Sequence, residues 1–141
     1  MRVPPPTHAL VDSNVILDIR TEDPGWCEWS AHALAEAAER YELAINPIIY
    51  AEVSIDAERI EDLDVDLPED DYLRLPLPYE AGFLAGKAFL RYRRAGGKRS
   101  SPLPDFYIGA HAAVSRLVLL TRDATRYRSY FPTVPLISPE T

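Results

Sequence analysis

Cysteine is nearly absent. Cys27 is the one cysteine in 141 residues, so the chain can form no internal disulfide. That suits a reducing compartment, and the cytoplasm is the expected location. Long apolar runs are missing too. Nothing approaches the roughly 18 consecutive apolar residues of a membrane span, so no membrane attachment is expected. The opening MRVPPPTHAL lacks the apolar core of a signal peptide, and its prolines read as a stiff, extended lead-in to a first strand. Glycine is sparse and forms no rich loop that could cradle a phosphate. Zinc-type Cys/His spacing is also missing. His8, His32 and His111 are isolated from one another, and each reads as a structural or surface residue. Cys27 has no base near it in sequence, so thiol catalysis has no local support.

The residues that are present make an ordinary globular chain. It is 47% hydrophobic and 26% charged, which argues against disorder and for a single domain over residues 1–141. The formal net charge of −7 argues, taken whole, against a polyanionic partner. The distribution qualifies that. Residues 52–71 are crowded with acids, among them Asp56, Glu61, Asp64, Asp66 and Asp70. Between Lys87 and Arg128 bases dominate: Arg91, Arg93, Arg94, Lys98, Arg99, Arg116, Arg122 and Arg126, against only Asp105 and Asp123. Such asymmetry can mark a polyanion contact, and a solvated helix face with a basic loop explains it equally simply.

Strand and helix signals alternate. Residues 8–12 read as a buried strand, followed by a helix from Ser13 or Asn14. Residues 24–42 are helical, with Pro24 in the first turn and Trp26 and Trp29 on one face. LAIN, 43–46, is a second strand, and Asn46-Pro47 reads as N-cap and first helical residue. Residues 55–67 continue as an acidic helix or one with a break. YLRLPL, 72–77, is a third strand, and 78–97 a helix closed by Gly96-Gly97. A polar loop, 98–104, leads to a helix over 105–116 with Asp105 at or near its start. LVLLT, 117–121, is a fully apolar strand, 122–131 a turn and short helix, and VPLIS, 134–138, a last strand. This alternation predicts a parallel α/β sandwich.

Four carboxylates resist a surface explanation. HALVDSNVILDI places Asp12 where one apolar segment ends and another begins. A helix cap would explain it, and so would a metal ligand at the carboxyl end of a strand. Asp123 follows the strand LVLLT and would emerge at the same sheet edge. Asp105 opens a helix and could be its N-cap. Glu52 lies within about 60° of Ile48, Ile49 and Ile55 on a helical wheel, inside the apolar stripe. A buried carboxylate there needs a cation or a donor, and a buried Arg–Glu pair is the competing explanation. One hard divalent ion, Mg²⁺ or Mn²⁺, could satisfy all four. Such a cluster can activate water against a phosphodiester, with basic residues holding the flanking phosphates.

The set LVDSNVILD, NPIIYAEV, LPDFYIGAHA and LLTRDATRYRSYF resembles the PIN-domain family, and most of all its VapC-type toxins. The resemblance spans nearly the whole chain. It implies a three-layer α/β/α sandwich with a short, mostly parallel central sheet. It also implies a Mg²⁺- or Mn²⁺-dependent endoribonuclease in which Asp12, Glu52, Asp105 and Asp123 form the acidic quartet. Asn14 matches the family's polar residue two positions after the first acid, and Ser13 takes the small hydroxyl position between them. The expected reaction is attack of water on the RNA phosphorus with departure of the 3′-oxygen. Lys98, Arg99, Arg122 and Arg126 are candidate RNA contacts. A homodimer and a VapB-type antitoxin, inserting a basic or aromatic side chain into the acidic site, are the implied partners. Two alternatives stand beside this reading: a non-catalytic PIN-like RNA- or protein-binding module, and a Mg²⁺-dependent phosphatase with Asp12 as nucleophile. The phosphatase would want an acid where Asn14 stands.

Overall fold

The computed structural model describes residues 3–100 and 103–139. Residues 1–2 of the expected lead-in and 101–102 of the expected loop lie outside them. In chain order the elements are β1 (His8–Val11), α1 (Ser13–Arg20), α2 (Cys27–Arg40), β2 (Glu42–Ile45), α3 (Pro47–Ser54) and α4 (Ile60–Asp66). Then come β3 (Leu73–Arg74), α5 (Tyr79–Arg94), α6 (Pro104–Ser115), β4 (Val118–Leu120), α7 (Thr125–Tyr130) and β5 (Leu136–Ile137).

The strands form one sheet in the order β3-β2-β1-β4-β5, and every pairing is parallel. Helices flank it in the expected three-layer α/β/α arrangement. Ala9, Leu10 and Val11 of β1 and Leu119 and Leu120 of β4 are fully buried, as an inner parallel strand covered on both faces requires. The strand order reverses at β1. The chain runs outward from β1 through β2 to β3, then crosses back to lay β4 on the other side of β1. Such a switch point opens a crevice beyond the carboxyl ends of the two strands. Asp12 follows β1 there, and Thr121 to Asp123 follow β4. The backbone N–H of Asp12 donates to the Leu120 carbonyl at 2.9 Å, joining the two strand exits.

Local chemistry explains most boundaries. Asn46 caps α3, its side chain accepting from Ile49 N at 2.9 Å, and Pro47 supplies the first helical residue without an N–H to satisfy. The acidic segment breaks as one of the two expected forms, with α4 separated from α3. Leu63 and Leu67 are buried, while Asp66 pairs with Arg20 at 2.8 Å and Asp64 with Arg74 at 3.2 Å. Gly96 ends α5 at φ 98°, a left-handed conformation that a side chain would oppose.

The last strand shortens from the expected 134–138 to Leu136–Ile137, and two further boundaries differ for local reasons. α2 starts at Cys27 rather than near Pro24, because the Asp23 carboxylate accepts from Gly25 N at 3.0 Å and Trp26 N at 2.8 Å and holds a turn there. β3 is two residues long rather than six. Pro76 and Pro78 bring no N–H to a ladder, so pairing stops after Arg74 at the sheet edge.

Candidate active site

Asp12 is both a cap and the centre of a buried polar cluster. Its residue is 3% exposed. Oδ1 accepts the backbone N–H of Ser13 at 2.8 Å, capping α1. Oδ2 accepts the Thr121 hydroxyl at 2.8 Å and the Tyr127 hydroxyl at 2.9 Å, with Asn14 Nδ2 at 3.5 Å. Burial is the largest influence on this carboxyl and pushes its pKa up to about 7. The Thr121 and Tyr127 hydrogen bonds oppose the rise, while the charges of Asp105 and Glu52 add to it. Asp12 therefore senses Asp105 and Glu52.

The remaining acids arrive from three elements. Glu52 projects from α3 and is half-buried, and it accepts the Ser13 hydroxyl at 2.8 Å. Burial raises its pKa, Ser13 opposes this, and the charge of Asp105 adds to it. Its partner is a hydroxyl, not the arginine of the competing explanation. Ile55 does not belong to its apolar stripe: it lies past the end of α3 and is 87% exposed. Asp105 stands in the first turn of α6 behind Pro104, while Leu103 is the residue at the cap. The N-cap explanation for Asp105 therefore fails. Its Oδ1 is 3.4 Å from the Tyr127 hydroxyl, and Arg126 Nη1 is 3.2 Å from its Oδ2. Asp123 is exposed at the rim, lining one cleft with Asp105 and Arg126, and its Oδ1 accepts Thr125 N at 3.4 Å. Among the described residues no three acids, histidines or cysteines converge closely enough to ligate one ion as they stand.

The other expected site residues divide. Asn14 Oδ1 accepts Arg122 N at 3.2 Å and its Nδ2 lies 3.3 Å from Thr121 Oγ1, so it ties the β4 exit to α1. Lys98 and Arg99 are exposed on the loop after α5. Arg126 meets Asp105. Arg122, expected to meet RNA phosphates, instead commits its guanidinium to Asp18. Its Nε and Nη2 lie 2.8 and 3.0 Å from the two Asp18 oxygens, and its Cζ lies 5.4 Å from the centroid of the Trp26 ring. Asp18 is 3% exposed and also accepts the Ser30 hydroxyl at 2.8 Å. The histidines are structural or surface residues: His111 is buried with Nδ1 2.9 Å from Asn46 Nδ2, and burial lowers its pKa, while His32 stands exposed beside Glu36.

Two residues at the centre escaped the sequence reading. Thr121 and Tyr127 donate to Asp12 from 109 and 115 positions away. The signal for Thr121 was faint but present: a hydroxyl closing an otherwise apolar strand. Burial and the nearby carboxylates raise the Tyr127 pKa well above its ordinary value, so it acts as a hydroxyl donor.

The donor set suits a hard divalent cation. It is all oxygen, and Asp12 and Asp105 stand on either side of one hydroxyl. A Mg²⁺-type ion is commonly held by one or two carboxylates and several waters, so two acids suffice. Fold and site together define a doubly wound α/β protein with an acidic centre at the switch point.

The chain belongs to the PIN domain family, whose model matches residues 9–131. No curated protein matches it in sequence. Among solved structures it is similar to VapBC2 from Rickettsia felis bound to a promoter DNA fragment, with a TM-score of 0.71 and 16% identity over 93% of this chain and 98% of that one. VapBC-1 from nontypeable Haemophilus influenzae gives 0.70 and 17%, over 95% and 99%. FitAcB from Neisseria gonorrhoeae gives 0.67 and 18%, over 94% and 98%. At such identities the likeness is one of fold.

Proposed function

We propose that the protein is a Mg²⁺- or Mn²⁺-dependent endoribonuclease of the VapC type, the toxin of a toxin–antitoxin pair. The observation that carries this reading is the meeting of buried Asp12 and Asp105 at one hydroxyl, that of Tyr127, 2.9 and 3.4 Å away at the sheet's switch point, with Glu52 tied to the neighbouring Ser13 at 2.8 Å. Three carboxylates from separate elements, two of them held at raised pKa by burial, gain most from a cation. Family membership supports the same chemistry. When bound, a divalent ion lowers the proton affinity of a water and offsets charge on the phosphodiester.

In this reading Asp12 and Asp105 hold the ion, and Glu52 and Asp123 complete its surroundings directly or through water. Thr121 and Asn14 orient Asp12, and Ser13 orients Glu52. Arg126, Lys98 and Arg99 meet the RNA backbone, where phosphate contacts position the strand without reading its sequence. Arg122 holds the turn after β4 in place through Asp18. The partners are RNA, a second copy of the chain and a VapB-type antitoxin; the VapBC structures of like fold are the precedent for the antitoxin. Among the described residues no helix is long and apolar enough to cross a membrane, and a cytoplasmic setting is part of the proposal.

End-mapping of RNA cut by the purified protein tests the chemistry. Water attack with loss of the 3′-oxygen leaves 5′-phosphate and 3′-hydroxyl ends. Fragments ending in 2′,3′-cyclic phosphate would mean that the 2′-hydroxyl attacks, and the reading would fall.

A further inference from the structure

Tyr127 belongs to none of the acidic positions, yet its hydroxyl is the group that touches both Asp12 and Asp105. It lies 2.9 Å from Asp12 Oδ2 and 3.4 Å from Asp105 Oδ1. The residue is 1% exposed. A phenol has one proton to donate. The shorter contact assigns it to Asp12, and the phenol oxygen then faces Asp105 with lone pairs only. The two contacts are therefore unequal: the one to Asp12 is a charge-assisted hydrogen bond, and the one to Asp105 is a close approach between oxygens. Arg126, the preceding residue on α7, draws the other Asp105 oxygen from 3.2 Å. Adjacent residues of one short helix thus set where Asp105 stands relative to Asp12.

α7 is anchored for this task. Phe131, at its end, packs on Gly109 of α6 so closely that an added Cβ would run into the ring. Tyr130 stacks edge-on against Phe106, the residue after Asp105, at 5.2 Å between centroids. These contacts pack the helix bearing Tyr127 directly on the helix bearing Asp105.

We propose that Tyr127 is a positioning residue for the divalent-ion site, holding Asp12 by its hydroxyl proton and spacing Asp105 from it, and that ion binding replaces the Tyr127–Asp105 contact while keeping the Tyr127–Asp12 bond. This rests on the ion site proposed above. With phenylalanine at 127, Asp12 Oδ2 keeps Thr121 as its close donor, and Asp105 answers to Arg126 alone. The two carboxylates then lose their common reference.

The test is Mn²⁺ binding by calorimetry to the wild-type protein and to Tyr127→Phe, both stripped of metal, with circular dichroism to verify the fold. Loss of an orienting hydrogen bond behind a metal ligand typically weakens affinity about 10–100-fold, and that is the expected loss. A merely structural role would lower the melting temperature and leave the affinity alone. Wild-type affinity in a folded Tyr127→Phe overturns the assignment. A second measurement needs no folded variant at 127: Mg²⁺ should perturb the near-UV tyrosine absorption of the wild-type protein, and Asp105→Asn should remove the perturbation. A flat tyrosine spectrum at saturating Mg²⁺ overturns the proposal. If the wild-type protein binds no divalent ion at all, the site reading itself fails and takes this inference with it.

Discussion

Ser13 and Glu52, 39 positions apart in the chain, meet through a 2.8 Å hydrogen bond from the Ser13 hydroxyl to Glu52 Oε1. The same serine gives its backbone N–H to Asp12 at 2.8 Å. One residue at the start of α1 thus fixes two acids on different elements. Ser13→Ala should keep the Asp12 contact and lose the Glu52 one. Since the hydroxyl restrains a Glu52 pKa that burial raises, its loss lets that pKa climb further. The acidic limb of the pH–rate profile should move to higher pH, and the rate at neutral pH should fall about tenfold, the worth of a hydrogen bond to a charged group. An unmoved profile would mean that Glu52 does not titrate in the reaction.

Asp12 makes the ion-free protein pH-sensitive. Its folded pKa of about 7 exceeds the ordinary 3.8, so the folded state binds the proton more tightly than the unfolded state. This stabilisation is fully present below about 3.8 and is lost as pH rises through about 7. His111 acts oppositely: its pKa is lowered, so its contribution is lost as pH falls. The comparison that isolates Asp12 is therefore between wild type and Asp12→Asn in EDTA. Near pH 8 the Asp12→Asn protein should be more stable than wild type by up to about 4 kcal/mol, and the gain should vanish near pH 4. Urea denaturation at several pH values measures it.

Arg122 and Arg126 should separate by assay. Arg122→Ala strands the buried Asp18 charge, and such losses cost about 3 kcal/mol or more. Lysine should not rescue it, because a single ammonium cannot replace the fork that meets both Asp18 oxygens. Arg126→Ala removes a pair exposed by more than a third on each side, and should cost under about 1 kcal/mol. Its effect should appear instead in RNA cleavage. Denaturant midpoints and cleavage rates on the same two proteins decide between the roles.

Gly109→Ala should destabilise the fold by about 1–3 kcal/mol by driving a methyl into Phe131. Because that contact joins α6 to α7, cleavage should fall at temperatures where the variant is still folded. A variant that melts like wild type would show that Phe131 can move aside freely.

The parts of the fold that were legible in the sequence were written in local chemistry. Asn46-Pro47 signalled a helix start because a side-chain acceptor and a missing N–H are both properties of neighbouring residues. The apolar runs before Asp12 and before Asp123 marked buried strands by composition alone, and a parallel sheet then placed both acids at one edge. The failures were non-local. Nothing near Arg122 announces Asp18, 104 positions away, so the ion pair between them went unread. Tyr127 reads as one aromatic among several in RYRSYF until β4 is laid beside β1. The wheel for Glu52 extended to Ile55, which caps α3, and so counted among the buried positions a residue that is 87% exposed. Asp23 competed locally with Pro24 for the start of α2 and won, by offering its carboxylate to two backbone N–H groups.

The most direct measurement is cleavage of total cellular RNA by purified protein in Mg²⁺, in Mn²⁺ and in EDTA, with Asp12→Asn run alongside. The account predicts discrete cuts with the ions present and none in EDTA or with the variant. Equal cutting by Asp12→Asn, or cutting that survives EDTA, would contradict it.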